Sequence, residues 1–121
     1  MKQILNLDGV CVAGPYSVAV KSGGLIFLSG QIAPDAKGEN LYEAQTDKIL
    51  SNMEDILESL GLSLKNVIKT TIFVTEMNEF SNLNRVYGKY FSDQPPARSC
   101  VEVSSLPKGA LVEIDAIISC D

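Results

Sequence analysis

The sequence of 121 residues contains no histidine. Histidine is the side chain that most often acts as a base near neutral pH and most often binds metal ions. Its absence excludes a serine or cysteine triad built on imidazole. A glycine-rich phosphate loop of the GxGxxG type is also missing. We therefore expect a function that uses no metal and no cofactor.

Cysteines and long apolar runs are also scarce. The three cysteines, Cys11, Cys100 and Cys120, form no CxxC pair, and their odd number argues against a disulfide framework. Asn6 and Asp8 interrupt the N-terminal segment before a signal region can develop. No apolar run approaches the ~18 residues of a membrane span. The sequence predicts free thiols, a cytoplasmic location and no membrane association.

Positive charge is the third scarce property. Ten lysines and arginines stand against fifteen acidic residues, which gives a net charge of −5. Nucleic-acid binding normally depends on clustered cations, so we expect no nucleic-acid partner. Only Arg85 and Arg98 carry guanidinium groups, the groups best suited to forked recognition of a carboxylate.

What is present indicates one folded α+β domain over residues 1–121. The composition is 45% hydrophobic and 21% charged, as in compact globular proteins. The segment 17–30, with Gly23-Gly24 at its centre, predicts a β-hairpin. An amphipathic pattern predicts a helix over about 41–60, in which Asn40 caps the first turn, Glu43 reaches back to it and Gly61 ends the helix.

The second half of the chain predicts the remaining elements. Residues 66–75 are rich in β-branched side chains and indicate a long strand, with Ile68, Thr70, Ile72 and Val74 on one face. A second helix carries an apolar face and stops at Pro95-Pro96. Two further strands follow in RSCVEV and LVEIDAIIS. The predicted order is β-β-α-β-α-β-β, with a possible short strand near the N-terminus.

Two helices can cover only one face of such a sheet. The other face still carries apolar side chains and should bind another subunit. We therefore expect an oligomer.

Arg98 is the first candidate for function. An arginine near a strand end is ordinarily a solvated edge charge. Here Pro95 and Pro96 fix the backbone before it, and a strand that is predicted to be buried follows it. A guanidinium with limited freedom at this place could bind a carboxylate through two parallel hydrogen bonds.

Glu113 is the second candidate, on the strand LVEIDAII. Val112, Ile114 and Ala116 should share one face, while Glu113 and Asp115 share the other. Glu113 is either a solvent-facing carboxylate or a group that aligns a water or relays a proton in a closed site.

Three further side chains are weaker candidates. Cys100 should lie on the same side of its strand as Arg98, where a small buried hydrophobe with a free backbone carbonyl is favoured over a nucleophile, because no histidine can activate the thiol. Tyr16 and Ser29 sit where strands meet glycine turns. Their hydroxyls could point into a cleft or stabilise those turns.

Several motifs, taken together, resemble one known family. GPYS at 14–17, SGQIA at 29–33, NVIKTTIFVTEMNEF at 66–80, NRVY at 84–87, PPARSCVEV at 95–103 and LPKGALVEIDAI at 106–117 occur in unbroken order. This set is similar to the RidA (YjgF-like) family of enamine and imine deaminases. The resemblance covers about residues 14–118.

The resemblance implies a chorismate-mutase-like fold assembled as a homotrimer, with a central sheet barrel and clefts between subunits. It implies hydrolysis of reactive 2-enamine and 2-imine acids, such as 2-aminoacrylate and 2-iminopropanoate, to 2-keto acids and ammonia. Arg98 would bind the substrate carboxylate and Glu113 would position the attacking water. The Cys100 backbone would contact the imine nitrogen, and the cleft would be lined by Tyr16, Ser29, Gly30 and Asn84.

A second hypothesis stays open at this point. The chain could be a non-catalytic trimeric module that binds small keto acids or a regulatory partner, or it could have the ribonuclease or chaperone-like role assigned to some RidA-like groups. The acidic balance disfavours a ribonuclease. A pure binder needs the Arg98 cation but not the Glu113 carboxylate, so the presence of both favours the enzyme.

Overall fold

A computed structural model of the chain describes residues 1–7, 12 and 14–121; Cys11, one of the cysteines predicted to be free, lies outside them. Cys100 and Cys120 are free thiols, as predicted. The strands and α-helices follow one another as β1 (Gln3–Leu5), β2 (Ala19–Ser22), β3 (Leu25–Gln31), α1 (Leu41–Ser59), β4 (Val67–Val74), α2 (Phe80–Tyr90), β5 (Ala97–Glu102) and β6 (Val112–Ser119). This is the predicted order, with the short N-terminal strand present.

The strands form one mixed sheet in the order β1-β2-β3-β6-β4-β5. Neighbours are antiparallel except β4 and β5, which run parallel and are connected through α2. The predicted hairpin is present, since Ser22 pairs with Leu25 and Gly23, at φ 62°, makes the turn between them. β5 lies at the edge of the sheet, so the prediction that it is a buried core strand is wrong.

Both helices pack on the same face of the sheet and form the core with it. Ile49, Leu50 and Met53 of α1 are fully buried against side chains of β4 and β6. The other face of the sheet is open, and Phe27 is 43% exposed there. This is the uncovered face that the sequence predicts. Among the described residues no helix is both long and apolar enough to cross a membrane.

The ends of α1 agree with the predicted caps in two of three details. The side chain of Asn40 accepts a hydrogen bond from the Glu43 backbone N–H at 3.0 Å. Gly61 takes the left-handed conformation at φ 75° beyond the last turn. The prediction that the Glu43 side chain reaches back to Asn40 is wrong, because its carboxylate forms a 2.9 Å ion pair with Arg85 of α2.

One β-bulge corrects the predicted faces of β4. Val67 pairs with Ile118 and Lys69 pairs with Ile117, so one residue of β4 is extra. An extra residue reverses the alternation beyond it. Val67 is therefore buried, whereas Ile68 is 45% exposed and does not share the face of Thr70.

Candidate functional site

The side chain of Arg98 lies on the helix-covered face of the sheet, at its β5 edge. Arg98 is the register partner of Thr70, and adjacent partners in a sheet point to the same side. Thr70 is fully buried and its hydroxyl bonds to a residue of α2, so this side is the one that the helices cover. The chain therefore directs Arg98 toward α2.

Three side chains of α2 hold the guanidinium. One Nη1–H of Arg98 donates to Oδ1 of Asn84 at 2.7 Å. The Cζ atom lies 5.2 Å from the ring centroid of Phe80 and 4.8 Å from that of Tyr87. Both distances are within cation–π range. Arg98 is half-buried and tethered, in contrast to a solvated edge charge.

Cys100 lies two residues further along β5, on the same side as Arg98. It pairs in register with the buried Ile72 and is itself half-buried. Burial raises the pKa of the Cys100 thiol, and the nearby Arg98 charge only partly opposes this. A thiol with a raised pKa is a poor nucleophile at neutral pH. The structure thus agrees with the interpretation of Cys100 as a small hydrophobe.

A second set of predicted residues lines a groove of about 440 Å³ beside β3 and β6. Tyr16, Gly30 and Glu113 all contribute to it. The remaining lining residues are Val12, Gly14, Pro15, Val18, Gln31, Ile32, Pro107 and Lys108. The groove therefore combines a largely apolar wall with a carboxylate, a phenol and an ammonium group.

A bulge in β3 brings Gly30 against Glu113. Leu28 pairs with Ala116 and Gln31 with Ile114, so β3 has one extra residue between these pairs. A Cβ atom on Gly30 would lie 2.5 Å from Oε2 and 2.7 Å from Cδ of Glu113. A side chain at position 30 would therefore force the Glu113 carboxylate to leave this position.

Glu113 is half-buried on the open face of the sheet. It alternates with the buried Val112 and Ile114, as predicted. Burial raises the pKa of the Glu113 carboxyl, and the neighbouring Asp115 raises it further. The carboxyl thus accepts a proton more readily than an ordinary glutamate, which suits a group that interacts with a water molecule.

The two remaining hydroxyl candidates differ in their surroundings. Tyr16 is 49% exposed and contributes to the groove. The hydroxyl of Ser29 donates to the backbone carbonyl of Ser17 at 2.6 Å, and the Ser29 N–H donates to Val18 O at 2.9 Å. Ser29 therefore ties the start of the bulge to the segment before β2, which agrees with the turn-stabilising interpretation.

Within one chain the predicted residues form two groups on opposite faces of the sheet. Arg98, Asn84 and Cys100 lie together on the helix side at the β5 edge. Glu113 pairs in register with Phe73, which alternates with the buried Ile72 and therefore faces the open side. Within the single chain the sheet therefore separates Arg98 from Glu113.

Sequence reasoning missed the aromatic residues around Arg98. Phe80 and Tyr87 belong to the apolar stripe of α2, which the sequence indicates only as core. A polar residue, Asn84, interrupts that stripe between them. This interruption was the available signal that the helix faces a charge. Lys108, at the rim of the groove with φ 57°, was also missed.

The sequence profile of the family described as "Endoribonuclease L-PSP" matches residues 8–120. A RutC family protein from Synechocystis is 42% identical, and the match covers 97% of this chain and 95% of that protein. The crystal structure of RidA from an Antarctic Psychrobacter is 35% identical with a TM-score of 0.87, over 97% of this chain and 98% of that one. The crystal structure of E. coli TdcF with bound serine is 34% identical with a TM-score of 0.85, over the same shares of the two chains.

Proposed function

This chain belongs to the endoribonuclease L-PSP family, which includes the RidA (YjgF-like) proteins, and we propose that it hydrolyses reactive 2-imino acids to 2-keto acids and ammonia. The substrates would be 2-iminopropanoate, 2-iminobutanoate and the enamines that tautomerise to them, 2-aminoacrylate among these. Water adds to the C=N carbon, the C–N bond then breaks, and nitrogen leaves as ammonia while oxygen stays as the keto group.

The observation that carries this proposal is the confinement of Arg98. Two aromatic rings and Asn84 restrict the guanidinium, so its remaining N–H groups are oriented before a ligand arrives. A preorganised fork binds a carboxylate with little further loss of freedom. The relative that was crystallised with serine supports this ligand class, since serine also carries a carboxylate next to a nitrogen-bearing carbon.

Glu113 would act on the water. A protonated imine is already electrophilic, so its hydrolysis needs a well-placed water more than a strong base. The Glu113 carboxylate, held against Gly30 in the groove, would accept a hydrogen bond from that water. Tyr16, Ser29 and Gly30 would line the site, and the backbone of Cys100 would contact the imine nitrogen.

The site would be completed between subunits. Arg98 and Glu113 lie on opposite faces of one sheet, and an apolar side chain, Phe27, is exposed on the open face. A homotrimer with a central barrel of sheets would cover this face and place the β5 edge of one subunit against the groove of the next. An interface in which two different surfaces meet closes into a ring when its rotation allows.

The experiment is a coupled assay. A pyridoxal-phosphate serine dehydratase generates 2-aminoacrylate, and pyruvate release is followed with and without the protein. We expect faster release with the wild type, and a loss of about 10²- to 10³-fold in Arg98→Ala, because an oriented charged contact in a closed site is removed. Wild-type protein that does not exceed the free reaction would refute the proposal.

The family's descriptive name supports one alternative, RNA cleavage. The net charge of −5 weighs against it, because phosphate binding depends on clustered cations. Incubation of the same preparation with single-stranded RNA separates the two functions. Cleavage that survives Glu113→Gln and Arg98→Ala would point to a contaminant, whereas cleavage lost in both variants would favour the ribonuclease.

A further inference from the structure

We propose that Thr70 is a positioning residue for the ligand-binding arginine, and that it acts through the ring of Tyr87. The inference rests on the proposed role of Arg98 in carboxylate binding and extends it to a residue that touches no ligand. Thr70 lies in the middle of β4, beneath α2, and its backbone neighbours Arg98 in the adjacent strand.

The three residues form a closed unit. The hydroxyls of Thr70 and Tyr87 share a hydrogen bond of 2.7 Å. The face of the same Tyr87 ring lies 4.8 Å from Cζ of Arg98. Thr70 and Arg98 are register partners across β4 and β5. Strand β5 therefore fixes the backbone of Arg98, while the hydrogen bond from Thr70 fixes the Tyr87 ring that contacts the guanidinium.

The burial of Thr70 indicates that its hydroxyl is important for the hydrogen bond that it makes to Tyr87. Its side chain is fully buried between Ile72 on the same face and the helix above. Valine has nearly the same shape and would avoid burying a polar group at this place. The hydroxyl is satisfied by Tyr87 in particular, and a buried hydroxyl pair holds its two side chains in one arrangement.

The ring position decides where the guanidinium can point. Phe91 packs against Tyr87 at 4.8 Å between centroids, so packing alone limits tilt on that side of the ring. The bond to Thr70 fixes the far end of the phenol. With Asn84 holding Nη1 and the ring supporting Cζ, the unused N–H groups of Arg98 keep one direction. A displacement of about 1 Å at such a contact can cost about 10²-fold in activity.

The chain offers a matched control. Tyr42 of α1 and Thr75, just after β4, share a second tyrosine–threonine hydrogen bond of 2.9 Å between a helix and the sheet. Tyr42→Phe and Tyr87→Phe therefore remove the same atom from the same kind of bond. Of these two tyrosines, Tyr87 is the one whose ring contacts the Arg98 guanidinium. Any effect of lost helix–sheet bonding should appear in both variants.

The test compares Thr70→Val, Tyr87→Phe, Thr70→Ser and Tyr42→Phe with the wild type. Thermal unfolding gives Tm, calorimetric titration with 2-ketobutyrate gives Kd, and the imine assay gives kcat and KM. We expect Thr70→Val and Tyr87→Phe to raise Kd and KM about tenfold with a smaller change in kcat, as when binding common to ground and transition states is weakened. Thr70→Ser keeps a hydroxyl and should restore Kd, whereas Tyr42→Phe should lower Tm without changing Kd.

A second readout needs no ligand. The chain has two arginines, so the Nε–H groups of Arg98 and Arg85 give two assignable NMR signals, and Arg85 serves as an internal reference. We expect the Arg98 signal to shift or broaden in Thr70→Val and Tyr87→Phe and to stay unchanged in Tyr42→Phe. Unchanged Arg98 signals and unchanged Kd in both site variants, whatever their Tm, would overturn the inference.

The same measurements distinguish a failure of the proposed function from a failure of the inference about Thr70. If the wild type neither binds 2-ketobutyrate nor accelerates imine hydrolysis, the role of Arg98 is refuted, while the Arg98 NMR signal still decides whether Thr70 orients it. A second outcome concerns Thr70 alone. In it, the wild type binds 2-ketobutyrate and Arg98→Ala does not, but Thr70→Val and Tyr87→Phe match the wild type in Kd and in the Arg98 NMR signal. In that case only the inference about Thr70 is wrong.

Discussion

The two halves of the candidate site are built in contrasting ways. The Arg98 half lies under a helix, where aromatic rings and an amide restrict a cation at the sheet edge. The Glu113 half lies on the open face, where an irregular strand leaves space for a carboxylate. Packed aromatic rings hold Arg98 in place, whereas the lack of a side chain on Gly30 makes room for Glu113. The sheet separates the two halves within one chain.

The largest expected effect comes from recombining the halves. Arg98→Ala and Glu113→Gln proteins should each be nearly inactive in the imine assay. If they are unfolded and refolded together in equal amounts, random assembly should give active sites at about a quarter of the wild-type number, because each site then takes its halves from two chains. Each variant refolded alone is the control.

Activity that stays at the level of the separate variants would contradict this result. It would mean that one chain supplies both residues after a rearrangement, or that subunits do not mix. Co-purification through a tag on one variant distinguishes these cases, since it reports mixing without any reference to activity.

The cation half can be disabled by a single added charge. Asn84→Asp would put a carboxylate where the Asn84 amide now binds Arg98 at 2.7 Å. The new charge would neutralise the guanidinium and compete with the ligand, so Kd for 2-ketobutyrate should rise by more than tenfold over wild type. Asn84→Ala, which removes the contact without adding charge, should have the smaller effect in the same calorimetric titration. Equal effects would indicate that Asn84 acts only through shape.

The carboxylate half should be sensitive to one methyl group. Gly30→Ala would place Cβ within 2.9 Å of three atoms of Glu113, so the carboxylate must move. We expect kcat/KM to fall about tenfold, as for a displaced catalytic group, with Tm nearly unchanged because a flexible side chain can yield. Gly88→Ala is a suitable control, since no described residue beyond the adjoining helix turns lies within 4 Å of a Cβ there and helix propensity favours alanine. A wild-type kcat/KM in Gly30→Ala would separate Glu113 from the chemistry.

The smallest expected effect is in pH dependence. Burial and Asp115 raise the pKa of Glu113. If the ionised carboxylate aligns water, kcat/KM should rise with pH through a midpoint above that of an ordinary glutamate, and Glu113→Gln should lack this limb. The folded state also holds the proton more tightly than the unfolded chain. The contribution of Glu113 to stability is therefore present below its unfolded pKa and is lost as pH rises through the folded one.

A ¹³C NMR titration of the Glu113 carboxyl checks the midpoint without an assay. A midpoint at or below that of an exposed glutamate would remove both pH effects. Denaturant unfolding of wild type and Glu113→Gln at several pH values measures the contribution of Glu113 as the difference between the two proteins, because the variant lacks this titrating carboxyl.

Local patterns in the sequence predicted most of the fold. The hairpin at Gly23-Gly24, the caps at Asn40 and Gly61 and the period of α2 depend on neighbours within a few residues, and all are present in the structure. The two β-bulges could not be predicted, because an extra residue is defined only by the partner strand. The position of β5 at the edge likewise depends on pairing across the sheet.

The candidate site was predicted residue by residue but not in its arrangement. Arg98 and Glu113 were named as candidates from their positions in the sequence, and the resemblance added the roles that are expected of them. The two side chains lie on opposite faces of the sheet. This placement depends on the register between strands, which the sequence of a single strand does not specify. The contacts of Arg98 with Phe80 and Tyr87 could not be predicted, because the apolar face of a helix ordinarily packs into the hydrophobic core. The roles of these residues remain predictions for the experiments above.

The extra residue in β3 also bears on any attempt to make this protein more regular. Removing Ser29 would let β3 pair with β6 without interruption, which a design procedure that rewards ideal strands would favour. The pairs on either side of the bulge could keep their register after this deletion, but the extra backbone beside Glu113 and the two hydrogen bonds that Ser29 makes to the segment before β2 would be lost. One deleted residue would thus make the strand more regular and remove the irregular backbone next to the Glu113 carboxylate.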